Sequence, residues 1–369
     1  MTPLPRPSIL DIEPYAGGEA QLPGVDRVIK LSSNEGALGP SPAAIEAYRR
    51  EAEDIHRYPD GAALALREAI AAAWRLDPTR IVCGAGSDDL LCLLAQAYGG
   101  TGTETIVTRH GFAMYPIYAR YAGSDVVTVE ERNLTADADT ILAAVSPRTT
   151  LVFLANPNNP TGTFLPWGEI VRLRAGLPAH VLLVLDLAYA EYLDEPSVPE
   201  VVALVESCSN TVMTRTFSKI YGLGGLRLGW LYGPRAVVDV LNRVRSPFNA
   251  SRPAQAAAIA ALADTDHFEA SRAHNVRQRA WVTEALESTG VPVHGTAGNF
   301  VLADFGAVGR SAAAADQAFR ERGIIVRRLS GYGLPGMLRI TIGTAEEMEA
   351  VAEAAASFMQ GLDRALSHG

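Results

Sequence analysis

Primary amines are scarce in this chain: of 32 basic side chains only Lys30 and Lys219 are lysine, and the rest are arginine. Chemistry that needs an amine nucleophile therefore has two candidates. Lys219 stands in Thr214-Arg215-Thr216-Phe217-Ser218-Lys219-Ile220-Tyr221-Gly222, with Gly224, Gly225 and Arg227 just beyond. A lysine attacks a carbonyl as the neutral amine, so it needs a desolvated or cationic setting. Phe217, Ile220 and Tyr221 offer the first, Arg227 the second. Thr216, Ser218 and Arg227 also make a set of hydroxyls and guanidinium suited to a phosphate, where glycines let backbone approach closely. The alternative is a solvated surface lysine, which the apolar neighbours disfavour; Lys30 has no comparable surroundings.

Four other places carry residues that need a partner. Asp186 ends the most apolar run in the chain, and a carboxylate there is costly unless a cation or strong donor meets it. A protonated ring nitrogen is such a partner, and Tyr189, three residues on, can donate to the same ring; an Asp capping the next segment is the alternative. Gly84-Ala85-Gly86-Ser87-Asp88-Asp89 lies between a strand-like run and a helical one, a helix N-terminus that suits a phosphate or, equally, a capped tight turn. It lacks the third glycine of a dinucleotide loop, since Asp89 stands there. Asn156-Pro157-Asn158-Asn159-Pro160-Thr161-Gly162 is a rigid turn able to present the Asn159 amide, or simply a structural turn. Arg339 falls inside an apolar strand pattern and calls for an anion, either a ligand's carboxylate or phosphate or a structural ion-pair partner; Arg327 and Arg328 precede it.

The elements that must position these residues follow from texture. Residues 1–40 hold Pro3, Pro5, Pro7, Pro14, Gly17 and Gly18 and read as an irregular arm. Segments 42–53 and 61–75 are helical in composition. Apolar runs at 81–83, 105–107, 126–129, 151–154, 181–185 and 211–213 alternate with helical stretches, which predicts a mostly parallel sheet covered on both faces. Ligands of such sheets bind beyond the carboxyl ends of the strands, where the polar residues cluster here. Past residue 250 an alanine-rich helical stretch leads to strand-like runs at 299–302, 324–326 and 338–342, a second and smaller sheet.

Composition narrows the function classes. The chain of 369 residues suits one large and one smaller domain, and a net charge of −9 disfavours nucleic acid or an anionic membrane as partner. No apolar run approaches a membrane span, and no export signal precedes Asp11, so a cytoplasmic enzyme is expected. Cys83, Cys92 and Cys208 make no CxxC pair and the seven histidines no HExxH, so neither a disulfide framework nor a catalytic metal is expected.

Taken together, Asn-Asn-Pro-Thr-Gly, then Asp-x-x-Tyr, then Ser-Lys and an arginine eight residues later resemble the fold-type I aminotransferases of class I/II. The strings Leu31-Ser-Ser-Asn-Glu35, Arg57-Tyr-Pro-Asp-Gly61, Arg215-Thr-Phe-Ser-Lys-Ile-Tyr-Gly222 and Leu338-Arg-Ile-Thr-Ile-Gly-Thr344 are similar to the histidinol-phosphate aminotransferases within that class. The likeness runs from about Tyr15 to Ala350. It implies an α/β fold: an arm (1–40) contributing to the small domain, a large cofactor-binding domain (41–250) with a mostly parallel sheet covered by helices, and a smaller α+β domain (251–369).

The resemblance also implies pyridoxal 5'-phosphate as cofactor and assigns roles. Lys219 would carry the cofactor and move the proton; Asp186 would keep the pyridine nitrogen protonated. Asn159 and Tyr189 would hold the ring hydroxyl, and Phe112 would stack on the ring. Gly86, Ser87, Asp88, Thr216, Ser218 and Arg227 would bind its phosphate, and Tyr58 would reach that phosphate from the other subunit of a homodimer. Tyr15, Arg327 and Arg339 would grip a phosphorylated amino alcohol or glutamate/2-oxoglutarate, with Asn34 nearby. Arg109-His110-Gly111, Leu187 and Gly36-Ala37 depart from the commoner family residues. Rival readings are an aromatic amino-acid aminotransferase, a threonine-phosphate decarboxylase on the same fold, a nicotinamide oxidoreductase and a non-catalytic binding protein.

Overall fold

The computed structural model describes residues 3–15, 17–25, 27–193 and 198–366. The arm is not wholly irregular. It holds a helical turn at Pro7–Leu10 and a short strand β1 (Ile29–Lys30). A seven-stranded sheet follows, built from β2 (Ile81–Gly84), β3 (Glu104–Thr108), β4 (Asp125–Val129), β5 (Thr149–Ala155), β6 (Leu182–Asp186), β7 (Thr211–Thr216) and β8 (Gly229–Tyr232). Its spatial order is β2-β8-β7-β6-β5-β3-β4. The pairs β7·β6, β6·β5, β5·β3 and β3·β4 are parallel, while β8 runs antiparallel to both neighbours. Two reversals leave β2 parallel to β7, so the ends of β2, β3, β5, β6 and β7 all open on one edge of the sheet.

Both faces of this sheet are covered. Along β6, Leu183 and Leu185 pack into one apolar cluster and Leu182 and Val184 into another on the opposite face. That two-residue alternation, with every position buried, is why the strand reads as a continuous apolar run. The sequence reading missed β8. Gly229 and Gly233 flank its three large residues and make it look like a turn, yet Trp230 and Tyr232 face one cluster and Leu231 the other. Gly229 is required by close approach: a Cβ there would sit 2.3 Å from the Ser87 amide nitrogen.

The second unit carries β9 (Val293–His294), β10 (Phe300–Asp304), β11 (Ile324–Ile325), β12 (Arg327–Leu329) and β13 (Leu334–Thr341). A four-stranded antiparallel sheet has the order β12-β13-β10-β9, and β1 pairs in parallel with β11. The short β9 and β12 were not anticipated: two or three residues are too few to show a period. The change of core also falls later than residue 250. The helix Arg252–Ala263 packs against the helices Pro42–Arg50 and Leu64–Trp74, and its Ala254, Ala257, Ala258 and Ala261 lie in the first sheet's cluster. Among the described residues, no helix is long and apolar enough to cross a membrane.

Candidate active site

A cavity of about 150 Å³ lies at the edge where those strand ends converge. Each strand end delivers one kind of group to its wall.

β6 delivers Asp186, which is 6 % exposed. Its Oδ2 accepts a hydrogen bond from the Tyr115 hydroxyl at 2.8 Å and its Oδ1 one from Thr214 at 3.2 Å. No cation pairs with it among the described residues. Burial, and then the negative charge of Asp88, push its carboxyl up to about 6. Sequence reasoning found Asp186 but neither donor. Thr214 is legible afterwards as a polar residue in a buried strand; Tyr115 comes from a different helix and no local pattern marks it.

The turn after β5 delivers Asn159. Asn156 closes that turn by exchanging two hydrogen bonds with the Leu165 backbone, at 2.8 and 2.9 Å. Gly162 has φ +68°, and a Cβ there would meet the Gly295 carbonyl at 2.3 Å, so no other residue fits. The Asn159 carbonyl oxygen accepts from Arg339 Nη1.

The loops after β2 and β7 deliver an anion cradle. Ser87 and Asp88, which line the cavity, open the twelve-residue helix Ser87–Tyr98, whose first-turn amides have no partner within the helix. Thr216 and Ser218 line the same end with Arg227, held in the left-handed region at φ +52°. Arg227 Nη1 donates to the Gly224 carbonyl at 3.1 Å and lies 3.4 Å from Ser218 Oγ. Gly86 does not line the cavity itself; a Cβ there would lie 2.8 Å from Arg227 Nη2, so it makes room for the guanidinium.

Lys219 faces this space, its Nζ 3.3 Å from the Ser33 carbonyl and 5.5 Å from the centre of the Tyr189 ring. Burial, then the charge of Arg339, pull its ammonium down to about 8, against opposing pulls from Asp88 and Glu35. At pH 7 about a tenth of the amine is then neutral, far more than for an unperturbed lysine, which favours a nucleophile. Phe112 lines the cavity, its ring edge-on to Tyr115 at 5.5 Å.

The remaining expected residues do not all meet here. Arg339, 6 % exposed, donates to Asn159 and to the Ser32 carbonyl at 2.7 Å; its Nε is buried without a partner, and no carboxylate of the described residues pairs with it. Tyr15 and Arg327 line a separate cavity of about 550 Å³, the guanidinium 5.8 Å from the ring centre. Tyr58 is 80 % exposed, stacks on Phe248 at 4.5 Å and borders a different cleft. Asn34, expected near the substrate, is 1 % exposed and hydrogen-bonds through its side chain to Tyr189 and Thr341; it touches the site through Tyr189 and does not itself line the cavity.

A pyridoxal-phosphate group fits this donor set. A buried carboxylate without a cation suits a ring N–H, a helix N-terminus with hydroxyls and an arginine suits a phosphate, and a lysine of lowered proton affinity stands between them.

Comparisons with known proteins agree with this chemistry. The family described as aminotransferase class I and II matches residues 26–354. A histidinol-phosphate aminotransferase of Granulibacter bethesdensis is 57% identical over 357 residues, 97% of this chain and 96% of the relative. That of Rhodospirillum centenum is 55% identical over 97% of this chain and 99% of its own. Among solved structures, the histidinol-phosphate aminotransferase of Sinorhizobium meliloti in complex with pyridoxal-5'-phosphate superposes with a TM-score of 0.85 at 30% identity, covering 91% of this chain and 92% of that one. The aspartate aminotransferase of Thermus thermophilus with maleate gives 0.78 at 26% identity, covering 90% and 91%. The chain belongs to the class I and II aminotransferases.

Proposed function

We propose that the chain is a pyridoxal-phosphate-dependent aminotransferase that moves the amino group of L-histidinol phosphate to 2-oxoglutarate, a step of histidine biosynthesis. The observation that carries this reading is Lys219: a half-buried amine whose pKa is pulled down to about 8, at a cavity bounded by Asp186 and the anion cradle. The names of the relatives at 57% and 55% identity support the substrate.

Bound covalently, the cofactor would act as an electron sink beside the substrate's amine-bearing carbon. Asp186 would hold the ring nitrogen protonated. Ser87, Thr216, Ser218, Arg227 and the helix N-terminus would anchor the phosphate, and Phe112 would cover the ring. Asn159 and Tyr189 would meet the ring oxygen. Lys219 Nζ would take the proton from the substrate carbon and return one. Arg339 holds a fixed positive charge that no carboxylate of the described residues answers, so it suits the phosphate of one substrate and a carboxylate of the other. Tyr15 and Arg327, which line the separate cavity but act electrostatically on Arg339, would meet a substrate that reaches from one space into the other.

The reading carries with it a cytoplasmic homodimer. Tyr58, Ile55 and Phe248 form an exposed apolar surface beside Gly225 and Leu226, close in sequence to the cradle, as expected of a surface that a second subunit covers. Initial rates with histidinol phosphate, phenylalanine and threonine phosphate test the function. Glutamate formed fastest from histidinol phosphate and 2-oxoglutarate is the expected result. Faster turnover of phenylalanine, or carbon dioxide released from threonine phosphate, would replace this reading with its rivals.

A further inference from the structure

The hydrogen bonds around Tyr189 have a direction. Thr341 Oγ1 accepts from the Asn34 backbone N–H at 3.0 Å and sits 3.1 Å from Asn34 Oδ1. Thr341 is 2 % exposed, and its hydroxyl proton has no other acceptor among the described residues. That proton must go to Asn34 Oδ1; turning the amide over would leave a buried hydroxyl unpaired, which is costly. The Asn34 NH₂ therefore faces Tyr189 and donates to its hydroxyl oxygen at 2.9 Å. An oxygen already accepting there has its own proton free to point elsewhere.

The segment that carries Asn34 is fastened hard. Thr341 N donates to the Leu31 carbonyl at 3.0 Å, and Asn299 Nδ2 bonds the carbonyls of Asn34 and Glu35 at 3.0 and 3.1 Å. Asn34 itself holds φ +55°, a left-handed conformation that asparagine tolerates better than most residues.

We infer that Thr341 and Asn34 are positioning residues that commit the Tyr189 hydroxyl to donate into the cavity, toward the cofactor's ring oxygen. The inference deepens the proposed function and rests on it. Burial also holds the Tyr189 phenol well protonated near neutrality, so a proton is there to donate. The relay has a second consequence. Thr341 lies two residues from Arg339 on β13, on the same face of that strand, so the anion-binding arginine and the control of Tyr189 share one rigid element.

A donor to the ring oxygen stabilises its anionic form and so lowers the pH at which the bound chromophore loses its proton. Thr341→Val removes the proton that orients Asn34; Thr341→Ser keeps it. Asn34→Asp reverses the polarity, because a carboxylate beside Tyr189 takes the phenolic proton for itself. The experiment is a visible-absorbance pH titration of each protein loaded with pyridoxal phosphate, with thermal melts to establish folding. Arg339, Asp186 and Asp88, the charged groups that act on Tyr189, and Lys219 over its ring are unchanged throughout.

We expect Thr341→Ser to titrate as the wild type. Thr341→Val and Asn34→Asp should titrate higher by about one pH unit, the loss of one hydrogen bond to a charged group. If either variant fails to fold, the other still decides. Folded variants that titrate as the wild type overturn the relay while leaving the proposed function standing. A wild-type protein that acquires no visible band with pyridoxal phosphate overturns both.

Discussion

Tyr115→Phe isolates one hydrogen bond at Asp186, the carboxylate proposed to meet the cofactor's ring nitrogen. The Tyr115 ring is 1 % exposed and stacked on Phe153 at 4.9 Å, so phenylalanine fills the same space. What is lost is the 2.8 Å bond to Asp186 Oδ2; the Thr214 bond to Oδ1 remains. A hydrogen bond to a charged group contributes about 1.5–3 kcal/mol, and one pKa unit corresponds to about 1.4 kcal/mol. Losing a donor disfavours the ionised form, so the carboxyl moves up by about one to two units from its value of about 6. The ionised carboxylate is the form that pairs with a protonated ring nitrogen. Cofactor affinity should accordingly fall as pH falls through about 6 in the wild-type apoprotein, and through about 7 to 8 in the variant. At pH 7 that is a Kd weaker by about twofold to tenfold. Titrating pyridoxal phosphate into both apoproteins across this range measures it, and the cofactor's own protonation cancels in the comparison. A folded variant with the same pH midpoint as wild type would refute the argument that Tyr115 sets the charge of Asp186.

Burying Asp186 also carries a stability signature. Its carboxyl is raised from 3.8 to about 6 on folding, so its contribution to apoprotein stability is present below about pH 4 and lost as pH rises through 6. Asp186→Asn apoprotein should exceed the wild type by up to about 3 kcal/mol above that window in urea unfolding, and match it below. Arg339→Ala removes two charge-assisted contacts and should raise KM for both histidinol phosphate and 2-oxoglutarate by about 100-fold, whereas unchanged saturation by either denies the shared anion site. Mixing Tyr58→Ala with Lys219→Ala subunits should yield hybrid dimers more active than either parent, because one site then has an intact lysine and the partner's tyrosine. Glu191→Gln leaves Arg215, fully buried and 3.9 Å from the centre of the Trp74 ring, without its ion-pair partner at 2.8 Å, and should cost about 3 kcal/mol or more in chemical denaturation.

The sheet was legible where its physics is local. Positions covered on both faces are mostly apolar, so β5 and β6 stood out as continuous runs and β3 and β7 by their apolar centres; β4, read as a buried strand, is an edge strand exposed at Asp125 and Thr128. β8 was invisible for the converse reason. Gly229 is needed by the approach of Ser87, a residue more than a hundred positions away, and a glycine chosen for a distant neighbour looks locally like a turn. The helix Arg252–Ala263 shows the same limit. Its alanines reveal close packing but not against which unit, and the partner helices Pro42–Arg50 and Leu64–Trp74 lie some two hundred residues earlier.

The site divides along the same line. Lys219, Asp186, Asn159 and Arg227 announce themselves because each is a polar group in an apolar or glycine-rich context at a strand end, a combination with few bland explanations. Tyr115, Thr341 and the inferred role of Asn34 do not, since the hydrogen bonds that tie them to the site span 71, 307 and 155 positions. Asn34 is the instructive case. Its motif marked it as belonging to the site, and it does border it, but through Tyr189 rather than through substrate. With its amide bonded to Tyr189 at one end and to Thr341 at the other, Asn34 is placed to fix the direction in which its neighbour donates.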